Sequence, residues 1–382
     1  MEEVVRYTYR LRPGAQAQRA LLQEWGRCRF LWNEAVHQHK TGNKPTLAKL
    51  GKLLTELREN NTWMREGSQV AQQNTLRNYA QALQQSFTVK GRGRPTFKAK
   101  KRTLPSLEYS TRGFSIRDGR LRLPKGVSVP VVWSRDLPSP PSSVRVYQDS
   151  LGHWYASFVT RRDKAPAPEA DAGIGIDWGV STTATTTDQT HDLPYMGHRK
   201  RCAAELATAQ RTMARRHRKG RPQSNGYKRA RRQAAKLHKK AARQTAHDSR
   251  VWAKKVTDHH DLIALEDFKP TFLAKSTMAR KAADAAIGAA KRELITSAER
   301  AGRKVVLVKP AYTTMTCSEC FARAKQPLEL GERIFRCSAC GYFAGRDRNA
   351  ARVILAVAER GHTSVEDIRH AQPPSGDVVR AV

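Results

Sequence analysis

The chain has 382 residues, 39% of them hydrophobic, and sets 70 lysines and arginines against 34 acidic residues, for a formal charge of +36. The hydrophobic share fills real cores and excludes a disordered polymer, while the length suits two or three domains. A charge so one-sided repels itself unless it works against a polyanion, so nucleic acid is the expected partner.

Val4–Leu11 alternates polar and apolar residues and stops before Pro13, which predicts a strand. From Ala17 onward, Leu21, Trp25, Cys28 and Trp32 recur at helical spacing, which puts Cys28 in a core rather than a catalytic site. Leu47–Leu57 and Val70–Phe87 continue the helical pattern; the Gln and Asn of the second read as a solvated face, with base contacts as the alternative. After Lys90 comes a glycine, proline and basic stretch, 91–102, which is either a linker or a phosphate-gripping loop. Short segments then follow at Gly113–Ile116, Arg120–Leu123, Val127–Val132, Ser143–Tyr147 and Trp154–Thr160, separated by turn residues. Together with the first strand they predict a small barrel. Residues 1–13 are then its first strand, 14–90 a helical insertion and 91–165 its remainder. A Pro and Ala stretch at 162–169 predicts a linker.

The second half, 171–382, opens on Ile174 and Ile176 alternating into Asp177, with Gly179 at a turn and a Thr-rich return. Asp177 alone could cap that turn. Residues 199–259 hold 20 Lys and Arg against Glu205, Asp248 and Asp258, net +17, and predict two long helices broken at about 220–226. This is a solvated hairpin or a phosphate-binding one. A buried-type strand Leu262–Leu265 runs into Glu266, at a strand's carboxyl end where α/β sheets place ligands; a helix cap or an Asp267 ion pair is the alternative. A helix Met278–Ala301 and a strand Lys304–Val308 complete an alternating pattern.

Of the six cysteines, Cys28 and Cys202 stand alone. Cys317 and Cys320 form one pair and Cys337 and Cys340 another, 16 residues apart, with Gly341 permitting a turn after the second. Four thiolates without a vacant position predict one structural Zn2+ in a ribbon over 310–345. Asp347 follows at the start of a helix that runs to about Arg360, where it could serve as a cap. Arg346 and Arg348 beside it are candidates for holding a phosphate or for a solvated helix start. The tail Gly361–Val382 reads as poorly ordered. No apolar run of roughly 18 residues and no signal peptide are visible, which predicts a cytoplasmic protein with no membrane partner.

Asp177, Glu266 and Asp347 together, without a His or Cys nucleophile, suit hard cations. Two Mg2+ ions about 3.5–4 Å apart activate water and stabilise the leaving oxygen in phosphodiester cleavage. The three acids are thus the expected catalytic and Mg2+-binding residues of a nuclease.

Gly-Ile-Asp177-Trp-Gly, Leu-Ile-Ala-Leu-Glu266-Asp-Phe and the closing cysteine pairs with Arg-Asp347-Arg-Asn-Ala-Ala resemble the split motifs and zinc ribbon of the TnpB proteins of bacterial insertion sequences. Related compact type V CRISPR effectors share them. The likeness reaches upstream through Tyr9-Arg-Leu-Arg-Pro13 and the helix around Cys28 to the strand at Trp154. It implies a mixed α/β, bilobed protein: an N-terminal wedge barrel with a helical recognition insertion, then an RNase H-like RuvC domain with an inserted zinc ribbon. It also implies a guide RNA that pairs with double-stranded target DNA beside a short flanking motif, and a single RuvC site that cuts it. Two features depart from the pattern. Phe321 stands where the family commonly has Gly, which bears on the turn but not on zinc ligation. The bulky Trp178 either packs beneath the site or stacks on a base. A CRISPR-associated effector of the same chemistry, a guided DNA-binding protein with little cleavage and a strand-joining transposase are the alternatives.

Overall fold

The computed structural model describes residues 2–42, 45–164, 166–268, 278–329 and 331–371. The chain divides into two compact units, Met1–Lys164 and Ala165–Val382.

In the first unit, strand β1 (Glu2–Leu11) is followed by helices α1 (Ala15–Lys40), α2 (Leu47–Asn60), α3 (Thr62–Arg65) and α4 (Gln69–Thr88). Then come β2 (Ser106–Ser110), β3 (Ser115–Arg117), β4 (Arg120–Leu123), β5 (Val127–Val132), β6 (Ser143–Gln148) and β7 (Trp154–Asp163). They form one seven-stranded sheet of order β2-β6-β7-β1-β5-β4-β3. β1 is central because it pairs antiparallel with β7 along its length and with β5 at Arg10 and Leu11. Leu107 and Tyr109 of β2 and Ile116 of β3, from opposite edges, enter one core with Tyr9, Val129, Val144 and Phe158. The sheet is therefore curled, as the barrel reading required. Cys28 lies in that core.

The helical insertion carries a core of its own around Leu31, Leu50, Met64, Leu76 and Tyr79. Thr46 and Ser68 cap α2 and α4 by accepting from the amides of Lys49 and Ala71. Two expectations are corrected here. β2 was not foreseen, since only Leu107 and Tyr109 mark it in a basic neighbourhood. β7 continues through Asp163 into the expected linker, because Arg162 there donates to Glu3 across the sheet at 2.7 Å.

The second unit begins with β8 (Gly173–Trp178), β9 (Thr182–Thr186), a 3-10 turn (Gln189–His191) and β10 (Leu193–Pro194). Helices α5 (His198–Arg201), α6 (Ala203–Arg216) and α7 (Asn225–His259) lead to β11 (Leu262–Glu266), α8 (Ala279–Ala285), α9 (Ile287–Ala301) and β12 (Lys304–Val308). The ribbon strands β13 (Ile334–Arg336) and β14 (Phe343–Gly345) precede α10 (Arg346–Glu359) and α11 (Val365–Ala371). The sheet order is β10-β9-β8-β11-β12, with β8, β11 and β12 parallel and β9 returning antiparallel. Ile174, Ile176, Ile263 and Leu265 pack on one face against Trp252 and Val256 of α7 and Leu294 of α9. On the other face Ala264 and Val308 meet Val353, Ile354 and Val357 of α10 and Val365 of α11.

The helix expected over Met278–Ala301 is broken. Ala286 takes φ 55°, and the break brings Asp284 under α5, where it accepts from the amides of Arg199 (2.7 Å) and Lys200 (2.9 Å). The tail expected to be poorly ordered from Gly361 includes α11, whose Val365 and Ile368 are buried. Its remainder, 372–382, lies outside the described residues. Among the described residues no helix is long and apolar enough to cross a membrane.

Candidate active site and cysteine ribbon

Side chains alternate across a strand, so parity decides which face Asp177 takes. Ile174, Ile176 and Trp178 face α7 and α9, which leaves Gly175 and Asp177 facing α10. In β11 the same alternation sends Ile263 and Leu265 one way and Ala264 and Glu266 the other. The parallel register pairs Leu265 with Ile176, which sets Glu266 beside Asp177 at the carboxyl ends of neighbouring strands. α10 lies directly on β8: a Cβ on Gly175 would come within 2.0 Å of the Ala351 carbonyl oxygen. Only glycine permits that approach, and it brings the first turn of α10, with Asp347, to the same end of the sheet.

Electrostatics report the convergence. Asp177 and Glu266 are each 6% exposed. Burial raises the Asp177 carboxyl well above the usual range, and repulsion from Glu266 and Asp347 raises it further, against the pull of Arg346 and the Trp178 amide. Glu266 is pushed up to about 7, chiefly by burial, with Lys291 opposing. The three acids do not form a group whose ligand atoms all lie within 4.8 Å of one another, as the four ribbon thiols do. Asp347 is drawn aside by Arg346, Nε to Oδ1 at 3.3 Å, and by Arg333 at 3.7 Å.

Among the neighbours, Lys291, Arg333 and Asp192 were not foreseen, whereas Arg346, Arg348 and Trp178 were. Lys291 donates to the Glu266 carbonyl (3.1 Å) and to Asp267 (2.9 Å), fixing the end of β11. Arg346 and Arg348 are both bound within the chain: Arg346 also donates to the Glu329 carbonyl, and Arg348 donates to Asp192 and to the Thr186 carbonyl. Trp178 packs beneath the site against Trp252, ring centroids 6.0 Å apart. A polar residue's partner across 24 or 156 residues leaves no periodic trace in sequence, so only the fold discloses these pairs.

In the ribbon, Cys317 and Cys340 sulfurs lie 3.7 Å apart and those of Cys320 and Cys337 3.6 Å apart. Each knuckle closes alike: Phe321 N–H donates to the Cys317 carbonyl and Gly341 N–H to that of Cys337, both at 3.1 Å. Both residues are left-handed, at φ 57° and 75°. Burial opposes the Cys337 thiolate, yet the amides of Cys340 and Ala339 and the neighbouring thiols draw its thiol down to about 7. Burial and the Cys340, Cys337 and Cys317 thiols push Cys320 up to about 12. Four such sulfurs shed all their protons together only around a cation, which fits zinc.

Three family models match the chain: "Helix-turn-helix domain" over residues 3–42, "Probable transposase" over 157–276 and "Cas12f1-like, TNB domain" over 288–354. Residues 3–42 contain a strand and one long helix rather than two helices. A Streptomyces pristinaespiralis protein named as an RNA-guided DNA endonuclease is 28% identical over 97% of this chain and 93% of its own. The Escherichia coli K12 protein InsQ, named likewise, is 27% identical over 98% of this chain and 97% of its own. Among solved structures, a Cas12f1 bound to single-guide RNA and target DNA matches with a TM-score of 0.56 over 93% of this chain and 98% of its own. At 12% identity that likeness is one of fold. The motifs, the two-unit fold and full-length similarity agree in likening the chain to the TnpB proteins.

Proposed function

We propose that this protein is an RNA-guided DNA endonuclease: a guide RNA pairs with one strand of target DNA beside a short flanking motif, and the Asp177, Glu266 and Asp347 site hydrolyses DNA phosphodiesters. The observation that carries this is the parity and register that turn two buried acids toward a third on α10. Similarity to relatives named for this activity and the formal charge of +36 support it.

The donor set fits a hard cation. It is all carboxylate oxygen, with Asp177 and Glu266 buried; burial raises both of those carboxyls above their usual range, and repulsion from Glu266 and Asp347 raises Asp177 further. Asp177, Glu266 and Asp347 would hold Mg2+, which when bound lowers the pKa of water and neutralises charge on the scissile phosphate. The chain's own residues prepare that site. The Trp178 amide donates toward both Asp177 and Glu266, Lys291 fixes the end of β11, and Trp178 closes the floor to water. Arg333 and Arg346 hold Asp347 until the ligands gather. Cys317, Cys320, Cys337 and Cys340 would hold one structural Zn2+. The basic helices within 199–259 and the loop 91–102 would grip phosphates, and the barrel with insertion 14–90 would read the flanking motif.

The test is to purify the protein with its bound RNA, sequence that RNA, and challenge a matched plasmid with Mg2+. Cleavage of matched but not mismatched plasmid, lost in Asp177→Ala while binding persists, supports the reading. Binding without cleavage would leave a guided DNA-binding protein, and joining of DNA ends without RNA would leave a transposase. RNA derived from a repeat array would mark the CRISPR-associated variant.

A further inference from the structure

Asp188, His191 and His260 take no part in the acidic site, yet each offers a ligand atom within 4.8 Å of the other two. Asp188 follows β9, His191 closes the 3-10 turn, and His260 is the first residue after α7. The two histidines are buried, their ring centroids 4.7 Å apart at 83°.

The hydrogen bonds fix the tautomers. Asp188 Oδ2 lies 2.7 Å from His191 Nδ1, so in the neutral ring the proton sits on Nδ1 and Nε2 keeps its lone pair. That Nε2 is buried and meets no hydrogen-bond partner. A buried polar atom left so is destabilising unless something else uses it. His260 Nδ1 lies 3.0 Å from the Val256 carbonyl oxygen, which only accepts, so its proton is on Nδ1 too and its lone pair is on Nε2. Burial lowers the pKa of His260 and favours the neutral ring, while the Thr190 amide and hydroxyl draw Asp188 down to about 2 and keep it anionic. The neighbouring Lys255 ammonium is turned to the Thr190 carbonyl at 2.7 Å. His259 stands at the exposed rim, its ring 5.2 Å from that of His191.

Two imidazoles whose Nδ1 atoms are engaged and whose Nε2 atoms can ligate, one ring oriented by a carboxylate, are the arrangement that binds divalent transition metals. We propose that His191 and His260 ligate a second divalent metal of the zinc class, distinct from the cysteine ribbon and from the acidic site, with Asp188 fixing the His191 ring. The metal joins the turn after β9 to the end of α7. β11, which carries Glu266, begins two residues beyond His260, so the clamp also sets where that strand starts.

The test uses full-length protein in an Asp177→Asn background, which removes the acidic site as a competitor. It is equilibrated with Zn2+, desalted and assayed for zinc per chain. Two equivalents are expected, falling to one in His191→Gln and in His260→Gln, with the ribbon zinc retained as the mark of a folded chain. Asp188→Asn is expected to keep the second zinc but to weaken it by about 10- to 100-fold. A single equivalent in the parent protein would overturn the proposal whatever the variants do, and so would a second zinc that persists in both histidine variants.

Discussion

Arg348 grips Asp192 with both arms, Nη1 to Oδ1 at 3.0 Å and Nη2 to Oδ2 at 2.8 Å. Asp192 in turn accepts from the Thr186 amide at the end of β9. The pair therefore bolts the first turn of α10 to the β8–β9 hairpin, and Asp347 is the residue before the bolt. A paired, planar fork of this kind fixes orientation as well as distance. Arg348→Ala is expected to leave RNA and DNA binding intact while lowering the cleavage rate by about a hundredfold, the scale of an ångström-sized misplacement. A rate within twofold of the parent would show that α10 is placed by its apolar face alone.

The ribbon is joined to the same helix. Buried Asn349 donates to the Thr316 carbonyl at 2.7 Å and accepts from the Ser318 amide at 3.0 Å, on either side of Cys317. Asn349→Ala leaves both backbone groups unpaired and should destabilise the protein by on the order of 2–3 kcal/mol. Zinc removal, or Cys337→Ser, is expected to abolish cleavage through Asp347 although no cysteine touches the acids. Thermal melts and cleavage assays on zinc-depleted and zinc-restored protein would check this.

Most of this site was legible in sequence, and the illegible part has a common cause. Asp177 and Glu266 stand out because strand alternation and strand ends are local signals, and the cysteine pairs because ligand spacing is local too. Arg348 and Asp192, Asn349 and Thr316, and His191 and His260 become partners only through the fold. The break at Ala286 was hidden for a related reason: an alanine-rich run favours helix everywhere, and the demand for Asp284 under α5 comes from a different element.

Phe321 poses opposite effects. Its left-handed φ of 57° is strained for an aromatic residue, and glycine would relieve about 1–2 kcal/mol. Its ring is buried in the core with Val353, Val357 and Val365, under Arg360 at 4.1 Å, and removing it costs about 3–5 kcal/mol. Burial wins. Phe321→Gly should lose about 2 kcal/mol of stability while still retaining zinc, as denaturant unfolding with metal analysis would show.

The acids predict a pH dependence with a definite sign. Glu266 is pushed up to about 7 in the folded protein and titrates near its usual 4.5 when unfolded. Between those values the folded state binds the extra proton, so stability is greatest below the unfolded pKa and falls as pH rises toward and through the folded one. Zinc-loaded protein in Mg2+-free buffer should therefore melt lower at about pH 8 than at about pH 5, and added Mg2+ should restore stability only at the higher pH. Glu266→Gln should flatten the trend. A melting temperature that rises over this range would contradict it.

Anomalous diffraction from crystals of the guide-bound protein soaked in Mn2+ tests the gathering of the three acids most directly. Manganese peaks ligated by Asp177, Glu266 and Asp347, with Asp347 swung away from Arg333 and Arg346, are the predicted result. Asp347 still paired with those arginines, and no manganese at the carboxyl ends of β8 and β11, would contradict the account.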